Sequence, residues 1–177
     1  LLHEDNHPSN LTAWKEKAKR FGFSVVVVPQ KNPHPGMEYY VEAFAKAITA
    51  CLASSDPALR DGVAYEALTH MLRGRQLSSQ TMKALMAHLV ARLDAPAGQG
   101  FEQPFAALAL SEVARADRIE AFLTEDELIA LLVDAQHWFI NVSDYRGYDA
   151  VEGWRHGVAH GADLLMQLAL NPRIDAE

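Results

Sequence analysis

The side chains best suited to chemistry lie in one segment near the C-terminus, between Asp144 and Asp163. In a helix predicted over about 153–169, His156 and His160 are four residues apart, and Asp163 follows three residues later. Side chains at these spacings share one face of a helix. Two imidazoles on successive turns, with a carboxylate one turn further on, can bind a divalent metal that keeps a water at its open position. The pattern therefore makes His156, His160 and Asp163 a candidate metal site.

Two other interpretations of this segment stay open. In one, the polar residues form a metal-free cleft for a small polar ligand, with Arg146 binding a carboxylate or phosphate. In the other, they form a hydrogen-bond network in which Asp144 or Asp163 pairs with Arg146 and ties the loop to the helix. We rank this structural interpretation first, because buried polar groups are normally paired. The ligand-binding candidates are Asp144, Arg146, Trp154, His156, His160, Asp163, His137 and Asp134.

The two sides of the last helix differ in chemistry. The side opposite the histidines is apolar and is predicted to face the core. It carries Trp154, Val158, Ala162, Leu165 and Leu168. Asp134 and His137 form a polar stripe on the preceding helix, and antiparallel packing of the two helices would bring the polar stripes together. The three glycines within 153–161 each cost about 1 kcal/mol relative to alanine in a helix interior, which predicts close backbone packing.

The elements that position these residues are predicted to be helical from Met37 onward. The predicted helices cover about 37–53, 56–74 and 79–93, then start at 104 and 124, and end with 153–169. Thr124 and Glu127 form a capping box at the start of the fifth helix. Short links between consecutive helices indicate antiparallel neighbours, and three such pairs at intervals of about 40 residues favour stacked α-hairpins. We therefore predict an all-α domain over 37–177, of HEAT-like or α-α superhelical type, with an irregular bundle as the alternative.

Residues 1–36 differ from the rest of the chain and are predicted to form a small appendage. It comprises a helix over 10–21, a strand over 23–28 and a proline-containing loop. Four consecutive valines, Val25 to Val28, favour the strand because β-branched residues are poor helix formers. No second strand is predicted to pair with it. An unpaired strand edge invites pairing with another chain, which makes a homodimer a candidate assembly.

Composition limits the classes of partner. The 177 residues include 16 basic and 23 acidic residues, for a formal net charge of −7. No cluster of Lys and Arg matches the demand of a phosphate backbone, so we expect no nucleic-acid partner. No run approaches the ~20 apolar residues of a membrane span. The compartment stays open: the cytoplasm is favoured, and the absence of an initiator Met at Leu1 leaves room for an export leader that has been removed.

Three segments of the chain resemble a known family. They are 55–65, 104–112 and, most specifically, Asp144-Tyr145-Arg146-Gly147-Tyr148 followed by Gly153-Trp154-Arg155-His156-Gly157-Val158-Ala159-His160-Gly161-Ala162-Asp163. Together they are similar to the bacterial domain of unknown function 2785 family, over about residues 42–172. The resemblance implies an all-helical, HEAT-like fold and a bacterial source, and it implies no activity. Its recurring motif residues fall on Asp144, Arg146, Gly147, Gly153, Trp154, His156, His160 and Asp163.

The sequence thus supports two functional hypotheses. The first is a non-enzymatic helical-repeat protein, a binding or scaffold module whose polar cleft takes a protein or a small polar ligand. The second is a metal-dependent hydrolase that uses His156, His160 and Asp163 as ligands of a divalent cation. The residues alone do not decide whether the protein is an enzyme.

Overall fold

The computed structural model describes residues 37–174, together with Glu16 and Lys19, and it is mostly helical. Glu16 and Lys19 are both helical. The rest of the helix predicted over 10–21, the strand predicted over 23–28 and the loop after it lie outside the described residues. The helical content predicted from Met37 onward is confirmed.

The first helices follow the predicted boundaries closely. Helix α1 spans Met37–Thr49 and continues as a 3-10 helix over Ala50–Ala53. The second predicted helix has three parts: α2 (Pro57–Leu59), a π-helical stretch (Arg60–Tyr65) and α3 (Glu66–Arg73). Asp56 caps this helix as expected, because its Oδ1 accepts a 2.8 Å hydrogen bond from the Ala58 amide.

The central helices also agree with the sequence patterns. Helix α4 spans Ser79–Leu93, α5 spans Glu102–Ile119 and α6 spans Glu125–Ile140. The predicted capping box of Thr124 and Glu127 is present at the start of α6. Helix α5 was expected to be central because its first turns are apolar all round, and it packs between α4 and the last helix with most of its side chains buried.

The start of the last helix was predicted wrongly. Helix α7 spans Gly157–Ala169, and the residues before it form a two-stranded antiparallel hairpin of β1 (Tyr148–Asp149) and β2 (Gly153–Trp154). Gly153 has φ of +77° and His156 has φ of +55°, so neither residue has a right-handed helical backbone. The turn chemistry of this segment therefore overrides its helical periodicity, and the chain is not purely α-helical.

The predicted orientation of the last helix is wrong in part: Leu168 is buried and Leu165 packs against the core as predicted, but His160 is buried as well. The side of α7 that faces the core carries His160, two glycines and two leucines, whereas Trp154, Val158 and Ala162 are exposed. The reason is close packing: Gly157 and Gly161 let the α7 backbone approach its neighbours. A Cβ at Gly161 would overlap the ring of Phe139 and lie 3.0 Å from Trp138.

This packing makes the effect of Gly161→Ala testable. Helix propensity alone would raise the free energy of unfolding by about 1 kcal/mol. Overlap with Phe139 costs about 1–3 kcal/mol, so we expect a net loss of about 1 kcal/mol, measured by urea unfolding. The matched control is Ala159→Gly on the exposed side of α7, where propensity alone predicts a loss of about 1 kcal/mol. A stabilised Gly161→Ala variant would contradict the packing argument.

Candidate functional site

The predicted polar segment begins with a closed ion pair. The Arg146 Nε donates to Asp144 Oδ1 at 2.9 Å, and Arg146 Nη2 donates to Asp144 Oδ2 at 2.6 Å. Hydrogen bonds from Arg146 hold the pKa of Asp144 below its ordinary value. Arg146 Nη2 also donates to the Gln99 carbonyl. The pairing predicted by the structural interpretation is therefore present, and the Arg146 guanidinium is already engaged by a carboxylate.

Two further arginines hold the hairpin against the helices. Arg155 donates from Nε to the Gln99 carbonyl at 3.0 Å and from Nη2 to the Glu152 carboxylate at 2.6 Å. The fully buried Arg60 donates from Nη2 to the Glu152 carbonyl at 2.9 Å. Both guanidinium groups lie over the Phe101 ring, at 4.1 Å for Arg60 and 4.4 Å for Arg155. Together with Arg146, these arginines fix the hairpin in place.

A ladder of aromatic rings connects the hairpin surface to the core. The exposed Tyr148 lies 5.1 Å from Trp154, whose ring stacks on His156 at 4.0 Å with an interplanar angle of 21°. The His156 ring is 5.6 Å from His160, and His160 meets Phe105 edge-on at 4.9 Å. The structure thus brings together three of the predicted site residues, Trp154, His156 and His160.

His160 is a buried, neutral member of this ladder. Its side chain is 8% exposed, and its Nδ1 lies 3.2 Å from the Pro104 carbonyl oxygen. A carbonyl only accepts hydrogen bonds, so Nδ1 carries the proton. Burial, assisted by the neighbouring His156, lowers the pKa of His160 to about 4. The imidazole therefore serves packing and one hydrogen bond at neutral pH.

The remaining predicted residues are more exposed to solvent than His160. Asp163 is half-buried on α7, whereas Asp134 and His137 are exposed on α6. Within residues 37–174, no group of three or more His, Cys, Asp or Glu side chains is close enough to hold a metal ion. Metal binding by His156, His160 and Asp163 stays a prediction, and this geometry does not favour it.

A second candidate site, not foreseen from the sequence, is a groove of about 400 Å³ at the opposite ends of the same helices. It lies where the end of α3, the start of α4 and the end of α5 meet. Its apolar lining comes from Leu72, Leu77, Met82, Ile119 and Phe122, and its charged lining comes from Arg73, Arg75, Arg115 and Glu120. The volume falls in the range of about 300–1,000 Å³ that is typical of small-molecule sites.

The arginines of this groove differ in how they are neutralised. Arg73 donates to the buried Glu112 through two hydrogen bonds, at 2.8 Å and 2.5 Å. Arg75 pairs with Glu120 at 2.9 Å, and both of these side chains are exposed. Arg115 is half-buried and makes no hydrogen bond or ion pair with any residue that the structure describes. The groove therefore contains one cation without a counter-charge.

The sequence offered little signal for this groove. Its lining comes from two separate stretches, 72–82 and 115–122, and neither contains a known ligand motif. The sequence alone does not distinguish Arg73, Arg75 and Arg115, because all three carry the same charge. Only the fold shows that Glu112 and Glu120 neutralise the first two arginines and leave the third.

None of the described helices is both long enough and apolar enough to cross a membrane, as the composition led us to expect.

No curated protein and no solved structure matches the chain. A family model described as "Protein of unknown function (DUF2785)" matches residues 89–177, half of the chain. The match includes the motif from Asp144 to Asp163, while the similarity noted over 55–65 lies outside it. The chain belongs to this family of proteins of unknown function.

Proposed function

We propose that the protein is a non-catalytic binding module that holds an amphiphilic anion, a molecule with a carboxylate head and a short apolar chain. The observation that carries this proposal is Arg115, a guanidinium that no described residue neutralises, on the wall of a groove that combines apolar and charged side chains. A half-buried charge gains from a partner that supplies two acceptor oxygens in the plane of the guanidinium. A ligand carboxylate is such a partner.

The surroundings of Arg115 support an anion rather than a cation. The groove also includes Ser78 and Ser79 at the start of α4, where the helix dipole is positive. The Ser78 hydroxyl accepts a hydrogen bond from the Thr81 amide and so caps the helix. The apolar side chains of Leu72 and Met82 offer a surface for the chain of the ligand.

The scaffold that carries the groove is proposed to be a stack of α-hairpins of HEAT-like type. The supporting observation is that α4 packs against α5, and α6 packs alongside α7. In such an arrangement each helix pair buries its apolar face against the next, and grooves form where helix ends meet. The binding module is thus the favoured one of the two hypotheses drawn from the sequence.

Calorimetric titration of the full chain with decanoate tests the proposal. We expect a Kd of about 0.04–2 mM, since ligands of this size gain roughly 0.3–0.5 kcal/mol per heavy atom. Decanol, which lacks the carboxylate, should bind at least about tenfold more weakly, because a hydrogen bond to a charged group contributes about 1.5–3 kcal/mol.

The variant Arg115→Gln should lose at least about tenfold in decanoate affinity for the same reason. Its matched control is Arg118→Gln on the same helix, whose Nε donates to Gln167 and which does not line the groove. The control should bind decanoate like the original chain. Equal binding of decanoate and decanol, or equal affinities in the two variants, would contradict the proposed function.

A further inference from the structure

The outward face of α6 combines an apolar stripe with acidic side chains. Ile129, Val133 and Ile140 are 46%, 56% and 77% exposed, and their spacings of four and seven residues place them on one side of the helix. Asp134 is exposed as well, and its side chain forms no hydrogen bond or ion pair with any described residue. Helix α6 contains four acidic residues and no Lys or Arg. A complementary partner is therefore apolar in its centre and basic at its edges.

The N-terminal segment 10–21 has this chemistry. It contains four of the 16 basic residues of the chain and one acidic residue, so its net charge is +3 in a chain of net charge −7. Glu16 and Lys19 are helical and exposed, as expected for the polar side of an amphipathic helix. The residues on the predicted opposite side are apolar: Leu11, Trp14, Ala18 and Phe21.

We propose that the helix predicted over 10–21 docks antiparallel along the outward face of α6. When Ala18 lies opposite Val133, Leu11 lies opposite Ile140, because the two residues of each helix are seven positions apart. The small side chain of Ala18 lets the helices approach closely at the centre of the contact. The distance from the first pair to the second is about 10 Å at a rise of 1.5 Å per residue.

The same register also pairs opposite charges. On ideal helices, Lys15 and Lys19 lie on the same side of the contact as Asp134, two positions above and below its level. This offset is about 3 Å, which a lysine side chain spans easily. A parallel arrangement would place both lysines on the other side of the contact from Asp134. Charge complementarity therefore selects the antiparallel direction.

The apolar stripe on α7 is a poorer surface for this segment. Val158 and Met166 are exposed there, but the single acidic residue of α7, Asp163, is half-buried. A basic segment would find no exposed carboxylate of α7 beside its lysines. The segment therefore matches α6 in both apolar pattern and charge, and it matches α7 in apolar pattern alone.

The connection between the segment and the domain is long enough for this contact. Residues 22–36 can extend to about 50 Å, at 3.3–3.6 Å per residue. A domain the size of 37–174 has a radius of gyration of about 14 Å, so the extended connection is longer than the domain is wide. The start of α1 at Met37 therefore does not prevent the segment from reaching α6.

Disulfide cross-linking within the full chain tests the contact. Ala18→Cys and Val133→Cys are combined in a chain whose half-buried Cys51 is replaced by alanine, and the protein is oxidised at low concentration. The two cysteines should form a disulfide within one chain, because the docked helices bring them within reach. The matched control combines Glu16→Cys with Val133→Cys. Its cross-linking should be at least about fivefold slower, since residue 16 lies on the far side of the segment.

Charge reversal tests the direction of docking. Asp134→Lys, added to the Ala18 and Val133 cysteine pair, should slow disulfide formation about threefold to tenfold, because it replaces attraction to Lys15 and Lys19 by repulsion. Adding Lys15→Glu and Lys19→Glu to this variant should restore the original rate. A general loss of stability would not be restored in this way, and circular dichroism melting verifies that each variant is folded.

Three results would overturn the proposal. Equal rates for the pairs that contain residue 18 and residue 16 would show that the segment presents no fixed side to α6. Disulfides between chains, with none within a chain, would assign the α6 face to a second copy. A rate that the reversed lysines do not restore would remove the electrostatic basis of the contact. None of these results bears on decanoate binding, because the groove and α6 share no residue.

Discussion

Replacing Arg60 with alanine should lower the free energy of unfolding by about 3–5 kcal/mol, as expected when one partner of a buried charged network is removed. Arg60 is fully buried, and its Nη1 donates to the Ser54 carbonyl at 2.9 Å. Its Nη2 reaches both the Glu152 carbonyl and the Asp61 carboxylate, at 2.9 Å and 2.8 Å. The variant leaves these acceptors unpaired and opens a cavity beside Phe101.

The π-helical stretch explains why Arg60 occupies this position. It begins at Arg60 and packs next to the turn after α1, so that the guanidinium can reach both that turn and the distant hairpin. Burial lowers the pKa of Arg60, and Asp61 opposes that shift. The side chain thus joins segments 92 residues apart in sequence, since Arg60 bonds to the Glu152 carbonyl.

Urea unfolding of Arg60→Ala and of the control Arg118→Ala compares how much free energy of unfolding each variant loses. Arg118 makes one long hydrogen bond, 3.3 Å to Gln167, so its replacement should cost less than about 1 kcal/mol. Similar losses in the two variants would show that the hairpin does not depend on the Arg60 contacts. A loss of the aromatic circular dichroism signal in the folded Arg60→Ala variant would support displacement of the hairpin.

Lowering the pH from about 6.5 to 4 should destabilise the protein by about 2–3 kcal/mol through His160 alone. The folded protein holds the pKa of His160 at about 4, whereas an unfolded histidine titrates near 6.5. Between these values the unfolded chain binds a proton that the folded chain does not bind. The stabilisation is therefore complete above about pH 6.5 and is lost as the pH falls toward 4.

The slope of unfolding free energy against pH isolates this contribution. His160→Gln keeps an amide donor for the Pro104 carbonyl and removes the titrating group. Its free energy of unfolding should therefore depend less steeply on pH between pH 4 and 6.5, by an amount that corresponds to the uptake of at most one proton on unfolding. The matched control, His137→Gln, removes a histidine from the exposed side of α6 without touching the core. Identical slopes for the original chain and His160→Gln would contradict the assignment.

The sequence predicted those parts of the fold that depend on local signals. The cap at Asp56, the capping box at Thr124 and the periodic apolar stripe of 79–93 each depend on residues within one or two turns. These signals act in the same way whatever surrounds the helix. The boundaries of α4 and the start of α6 were therefore predicted well.

The buried side of the last helix was predicted incorrectly in part, for a reason that lies outside the segment itself. Gly157 and Gly161 pack against residues from other parts of the chain, Val142 and Phe139 among them, and this packing decides which side of α7 is buried. Periodicity places the more apolar side inward, and here only its Leu165 and Leu168 pack against the core, whereas Val158 and Ala162 are exposed. His160 is buried instead.

The candidate site was predictable in its residues and not in their roles. The segment from Asp144 to Asp163 does assemble a dense set of polar and aromatic contacts. Asp144 and Arg146 neutralise each other, however, and His160 is protected from solvent. Among the arginines of the groove, Arg115 is the one that pairs with no described residue, because Glu112 and Glu120 pair with Arg73 and Arg75.

The most direct test of the binding proposal is a crystal structure of the chain with 10-bromodecanoate. The proposal predicts the carboxylate within hydrogen-bond distance of the Arg115 guanidinium and an anomalous bromine peak over the apolar lining near Met82. An empty groove at saturating ligand, or a carboxylate bound at the Asp144–Arg146 pair instead, would contradict it.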